Sequence, residues 1–504
     1  MRRRPAGVAV LAVAGVLALV ASAVLDGSRA PEPPAAVVPV NAGSRDQGDI
    51  SANNSPTLTR NPRRATNLAV VNRVDTPRYT CGLHVSQDGG SRWSRVSIPI
   101  APGEEDKCYA PDAKFAADGT LYVSYVTLRG AGNSPHAVWV TRSTDGGMTL
   151  AAPTRVSGRY AFQVRLATDP RRPQRVYLTW LQPEDIGLYL FAGDDNRIVV
   201  ARSDDGGRSF GRPVRASDGL RQRVLAPSAA VGRDGELYVL FLDVGDDRLD
   251  YEGGHASRGG APYSGRFSLV LGRSTDGGAT WEESLVDDGV VPTRRFIAFL
   301  PPSPSLAVDG SSGRVYVAFE DGRDSPSDVL LWSLARGATD WSGPERVNDT
   351  PSADRTTQYL PQLAVAPGGR LDVAYYDRRA DPGDRMNHVS VQSSHDAGRT
   401  FTAHATITDR SFDSRIGAGS ENGLPDIGSR LGLVSQPDAA LAAWTDTRAG
   451  TVSSNKQDIA FARAPMTGSA GLSDGARSAL RLAGIALLLA ALALLVASVR
   501  RRDA

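Results

Sequence analysis

Apolar residues in the body of this chain come in short runs that are continuous or alternate with polar positions, and none keeps a helical period for long. Leu237 to Phe241 is one such run, preceded by Ala226 to Val231 and the pair Asp234-Gly235, and followed by Ser268 to Arg273. Short runs broken by Asp-Gly pairs, here also Asp118-Gly119, predict strands joined by hairpins, an all-β body. Two longer apolar stretches frame it. Val8 to Leu25 follows Arg2, Arg3 and Arg4 and holds the small residues Ala21, Ser22 and Ala23, which predicts a signal peptide or signal anchor over residues 1–27. Leu482 to Val499 is 18 residues without a charge. As a helix it would cross about 27 Å of hydrocarbon. A transmembrane helix is therefore expected over residues 479–499. Arg500, Arg501 and Arg502 follow it as a cytoplasmic tail, residues 500–504, which leaves the body outside the cell.

Within the body one motif recurs. Ser86 to Trp93 (SQDGGSRW) returns as Ser143 to Leu150 (STDGGMTL), Ser203 to Phe210 (SDDGGRSF), Ser274 to Trp281 (STDGGATW) and Ser394 to Phe401 (SHDAGRTF), with a degraded copy at Ala335 to Trp341 (ARGATDW). In such a turn the Asp takes backbone donors, a Gly supplies positive φ, and the last aromatic packs between sheets. Asp88, Asp145, Asp205, Asp276 and Asp396 are accordingly read as structural.

These motifs resemble the Asp boxes of the sialidase superfamily and of other bacterial Asp-box (BNR) repeat β-propellers. The resemblance spans about Ser55 to Arg463 and implies an Asp-box β-propeller over residues 55–463, built of four-stranded blades with the box between strands C and D. Units start near Ser55, Tyr109, Phe162, Ala226, Pro302, Tyr359 and Arg430. This favours seven blades over the six of sialidases. The last unit lacks a strand D, and Ala35 to Val40, within a linker over residues 28–54, is the candidate to supply it and close the ring. Residues 464–478 read as a stalk.

In a four-stranded meander the A–B and C–D turns share one face, while the B–C loops and D–A connections share the other. The long loops Gln182 to Arg197, Asp243 to Arg266, Asp321 to Asp328, Asp377 to His388 and Asp446 to Gln457 fall on the second face, where ligands are usually met. Three of them open alike, with Asp321 and Arg323, Asp377 and Arg379, Asp446 and Arg448. Such pairs either brace the ring or form a circle of charges suited to an acidic sugar. Cys81 and Cys108 reach the same face and are expected to form a disulfide.

The sialidase resemblance implies three arginines on a substrate carboxylate, a Tyr activated by Glu, and an Asp as acid/base. The family's Phe/Tyr-Arg-Ile-Pro motif is absent, and Arg73-Val74-Asp75 is the nearest equivalent. Candidates for the other parts are Arg294, Arg295 and Arg355 as clamps, Tyr359 or Tyr375 as nucleophile with Glu421 as its base, and Asp377. None stands at a diagnostic spacing.

With Lys+Arg 57 against Asp+Glu 55, a net charge of +2, the chain has no field to gather nucleic acid. No cofactor and no metal site is expected, since no His or second thiol stands at ligand spacing. The acidic loop Asp243, Asp246, Asp247, Asp250 and Glu252 could hold calcium but matches no EF-hand. Three functional readings remain open. The leading one is a membrane-anchored, monomeric ectodomain recognising carbohydrate or another cell-envelope ligand. The others are an exo-α-sialidase-type hydrolase and a non-catalytic protein-interaction platform.

Overall fold

The alternating runs of the sequence are strands, and the Asp-Gly pairs and boxes are their turns. A computed structural model of the chain describes residues 14, 16, 30–34, 36–41, 50–158, 160–184, 195–247, 263–293, 301–417, 427–467 and 482–493. Contacts divide the chain into two units, Pro31–Pro465 and, separately, Met1–Ala30 with Met466–Ala504.

The first unit is a seven-bladed β-propeller. Each blade is an antiparallel meander of strands A to D, from the axis outward. The A strands are Asn53–Arg60, Cys108–Phe115, Phe162–Thr168, Val224–Val231, Ser305–Val308, Gln358–Val365 and Gly432–Gln436 for blades 1 to 7. Each packs on the A strand of the next blade, and that of blade 7 on that of blade 1. The ring is closed as the sequence suggested. Val37–Pro39 pairs with strand C of blade 7, Asp458–Thr467, in the register Val37 to Ala462, Val38 to Phe461 and Pro39 to Ala460. The closing strand also completes a core shared by blades 7 and 1, in which Val40, Leu58, Val70, Ile459 and Phe461 are buried.

The five good boxes share one geometry. The Ser hydroxyl donates to the Asp carboxylate at 2.6–2.9 Å and accepts the N–H of the second small residue at 2.8–2.9 Å. The Asp also accepts the N–H four residues on, at 2.9–3.0 Å. At Gly90, with φ +97°, a Cβ would lie 2.2 Å from the Phe461 ring, so both backbone and packing demand glycine. Trp93 then meets Phe461 edge-on at 5.3 Å, joining blade 1 to blade 7. The degraded copy, Ala335 to Trp341, is the C–D turn of blade 5, between Asp328–Leu334 and Ser342–Arg346.

Among the described residues no helix is long and apolar enough to cross a membrane. The helical residues 482–493 cover part of the expected span. The rest of that span, and the signal segment apart from residues 14 and 16, lie outside the described residues.

Candidate functional site at the axial mouth

Five A strands carry the same irregularity near their start. Ser55, Ala110, Gln163, Ala226 and Leu360 all have left-handed backbones, with φ between 49° and 59°. In each blade the register with strand B slips at that point, a β-bulge. A non-glycine residue in that region costs on the order of 1 kcal/mol, so five copies call for compensation. Neighbouring blades bond to three of these strands. Asp112 Oδ2 accepts the Leu166 N–H at 2.8 Å, Gln163 Oε1 that of Ala226 at 2.8 Å, and Glu320 Oε2 that of Leu360 at 2.7 Å.

Two residues beyond each left-handed position stands a polar side chain: Thr57, Asp112, Arg165, Ser228 and Gln362. Ser305 follows Pro304 in the same way in blade 5. In blade 7 Arg430 stands two residues after Gly428, whose φ is +92°. All seven residues line a cavity of about 440 Å³ bounded by the A strands of every blade.

Charge in this ring is unbalanced. Arg430, its side chain 10% exposed, donates Nη2 to Pro111 O at 2.6 Å, and its Nη1 lies 3.7 Å from Asp112 Oδ1. Its Nε and Nη1 have no hydrogen-bond partner. Arg165 donates from blade 3 to Ser303 Oγ at 2.8 Å, beside blade 5. The one carboxylate near both, Asp112, already accepts two backbone N–H groups, from Ala113 and Leu166. Burial, then the charge of Arg165, pushes the Arg430 guanidinium down to about 9, against the pull of Asp112; Arg73 adds to the depression. Burial lowers Arg165 too. Arg73 holds Asp75 at 2.6 Å. Its charge also favours ionisation of Tyr109, but burial outweighs that and pushes the phenol far up, and the hydroxyl donates to Ala161 O. Arg430, with two nitrogens lacking a hydrogen-bond partner and under the charges of Arg165 and Arg73, makes a site for an anion.

The three Asp-x-Arg pairs lie elsewhere. Arg323 holds Asp321 at 2.8 Å and Asp287 at 3.0 Å. Arg379 holds Asp377 at 2.6 Å and reaches Asp349. Arg448 holds Asp446 at 2.8 Å and reaches Asp409. In each case the second acid belongs to the outer, D-strand side of the preceding blade, so the side chain turns away from the axis and ties two blades together. Tyr359 donates to Asn387 at 2.6 Å and Tyr375 to Gln392 at 2.5 Å, and both are fully buried. Burial, with Asp377 adding, holds the Tyr375 phenol well above its usual value, the reverse of activation. Asp377 is buried and bonded to Arg379, Ser390 and Gln358. Arg355 is exposed. Arg294, Arg295 and Glu421 lie outside the described residues, as do Asp250 and Glu252 of the acidic loop. Cys81 and Cys108 form a disulfide from strand C of blade 1 to strand A of blade 2. It sits beside the site, since Cys81 pairs with Arg73 and Cys108 precedes Tyr109.

Sequence reasoning noticed Arg73 but passed over Asp112, Arg165 and Arg430. For Asp112 the signal was there in the recurrence of Pro and a polar residue at the head of strand A, Pro56-Thr57, Pro111-Asp112, Pro227-Ser228, Pro304-Ser305 and Pro361-Gln362, whereas Arg165 follows Val164 and Arg430 follows Ser429 and carry no such mark.

Fold and turns together define the class, an all-β propeller of seven four-stranded blades. No protein-family model and no curated protein matches the chain. Solved structures similar to it include the Hadza microbial sialidase Hz136, 14% identical over 80% of this chain and 75% of that one, with a TM-score of 0.44. The α-L-arabinofuranosidase Arb93A from Fusarium graminearum is 15% identical over 73% and 97%, with a TM-score of 0.46. An ulvan lyase of polysaccharide lyase family PL25 is 13% identical over 86% and 99%, with a TM-score of 0.47. At these identities and scores the likenesses say nothing about what this chain does.

Proposed function

We propose that this propeller recognises acidic carbohydrate, captures its anionic group at the axial mouth through Arg430, Arg165 and Arg73, and is displayed outside the cell by its apolar end segments. The observation that carries this reading is the Arg430 guanidinium, buried with two donor nitrogens unpartnered beside two more arginines and one carboxylate already in use. A buried cation without a full partner is costly, and a ligand carboxylate or sulfate removes that cost.

Recognition is preferred to hydrolysis because the tyrosines near charged groups are poor nucleophiles. Tyr109, Tyr359 and Tyr375 each spend the hydroxyl on a neighbour, and burial opposes ionisation of Tyr109 and Tyr375. The test is a glycan array probed with the full chain in detergent. Selective retention of acidic glycans, lost in Arg430→Met, is the expected result. Turnover of a fluorogenic sialoside between acid and neutral pH would replace this reading by the hydrolase. Neither binding nor turnover would leave the interaction platform.

A further inference from the structure

The segment from Cys108 to Asp112 touches Arg430 and the strand of Arg165, and it is joined covalently to the ladder of Arg73. Pro111 O accepts Arg430 Nη2 at 2.6 Å, and Asp112 Oδ1 lies 3.7 Å from Arg430 Nη1. Tyr109 donates its hydroxyl to Ala161 O, just ahead of the blade 3 strand that bears Arg165, and Asp112 Oδ2 accepts the Leu166 N–H at 2.8 Å. Arg73 is reached through the disulfide. It stands directly opposite Cys81 in the blade 1 ladder, so the two side chains leave the same face of the sheet. That face looks onto blade 2, since Leu83 and Val85, in phase with Cys81, share a core with Ala113 and Phe115. The charge of Arg73 accordingly acts on both Tyr109 and Arg430.

Two ties cross from blade 1 to blade 2 at this level. The Cys108 N–H donates to Tyr79 O at 3.2 Å, and Cys108 is bonded to Cys81. Both cysteines are buried with Tyr125, flanked by Ile98, Ile100 and Trp139. A disulfide so enclosed holds geometry rather than exchanging with thiols. Between Cys108 and Pro111 stands Ala110, whose left-handed backbone, φ 49°, persists only where its surroundings over-determine it.

We propose that the Cys81–Cys108 disulfide is the positioning element of the axial anion site: it locks the ladder of Arg73 to the strand that holds Arg430 and braces that of Arg165. The inference rests on the mouth being an anion site. A bond that merely stapled the chain would add stability alone, whereas one that positions the site adds affinity at a given stability.

The experiment compares the double variant Cys81→Ala, Cys108→Ala with Leu331→Ala, which removes buried volume from the core of blades 5 and 6. Each is studied as the full chain in detergent, at a temperature where it is folded. One readout is hydrogen exchange at Leu166, whose N–H depends on Asp112. The other is calorimetric affinity for a disaccharide carrying one carboxylate and one sulfate. In the double variant exchange is expected to quicken and affinity to fall about tenfold, with neither change in Leu331→Ala. In an Arg73→Met background the same removal of the bond is expected to cost less affinity, because the residue it positions is gone. Should the double variant not fold, Tyr109→Phe, which keeps the bond and cuts the tie to blade 3, is expected to show the same two changes. The proposal is overturned if the variant used keeps the wild-type exchange and affinity, if Leu331→Ala loses as much, or if bond removal and Arg73→Met are additive. A wild type that binds no acidic glycan and not the disaccharide removes the carbohydrate reading, and exchange at Leu166 then decides the positioning by itself.

Discussion

Arg323 reaches back across a blade boundary to Asp287, with 3.0 Å between Nη2 and Oδ2, while holding its own Asp321 at 2.8 Å. Arg379 and Arg448 repeat the contact with Asp349 and Asp409, so one charge device ties blades 4 to 5, 5 to 6 and 6 to 7.

The device has a testable cost. Asp321 is fully buried, and burial raises its carboxyl above the ordinary value even with Arg323 in place. Removing the guanidinium in Arg323→Gln leaves that charge uncompensated, a loss of about 3 kcal/mol near neutral pH. A folded-state carboxyl held above its unfolded value makes no difference below the unfolded value and destabilises increasingly as pH rises through it. The deficit in urea unfolding is therefore expected to shrink towards pH 4, and Asp321→Asn in the same chain should recover most of it.

Arg430 is expected to behave the opposite way. Its surplus charge burdens the empty protein, so Arg430→Met should raise the unfolding temperature by a few degrees, about 1 kcal/mol, while abolishing retention of acidic glycans. A fall in stability together with unchanged glycan binding would show that the guanidinium serves packing alone.

The repeat was legible because each box must satisfy the same backbone donors, which fixes Ser, Asp and Gly at set spacings. The closing strand was legible too, since blade 7 visibly lacked an outer partner and Ala35 to Val40 was unclaimed. The site was harder to see. The Asp-x-Arg pairs recur and so stood out, but recurrence at every blade is what a bracing contact produces. Asp112, Arg165 and Arg430 share a structural position yet differ in chemistry, so no single motif groups them. Only the bulge that places Thr57, Ser228 and Gln362 at the same level does so, and its mark in sequence is a proline before an unremarkable polar residue.

The boxes themselves predict an acid response. Burial pushes both carboxyls up, but the hydrogen bonds together outweigh it and hold Asp145 and Asp205 down to about 2, from the Ser143 and Thr149 hydroxyls on the first and from the Ser209 side chain and backbone on the second. A carboxylate whose folded value is depressed contributes stability that is present above its unfolded value, about 4, and is lost as pH falls to the folded one. Asp145→Asn with Asp205→Asn should therefore lower the unfolding temperature at neutral pH and flatten its decline between about pH 4 and pH 2. Asp145 is exposed and Asp205 half-buried, so the change is expected to be modest and partly screened by salt.

The closing strand bears on whether seven blades can stand without it. Val37–Pro39 covers the edge of Asp458–Thr467, and Val38 packs on the core that holds Phe461 and Trp93. Val38→Asp places a charge in that core and removes apolar burial worth about 2 kcal/mol. If the strand merely decorates the edge, the variant will unfold like the wild type. If it closes the ring, two things should appear together. The unfolding temperature should fall, and sedimentation should show self-association, because the uncovered strand of blade 7 offers its free backbone groups to another chain. Val38→Ile, which keeps an apolar side chain there, should show neither.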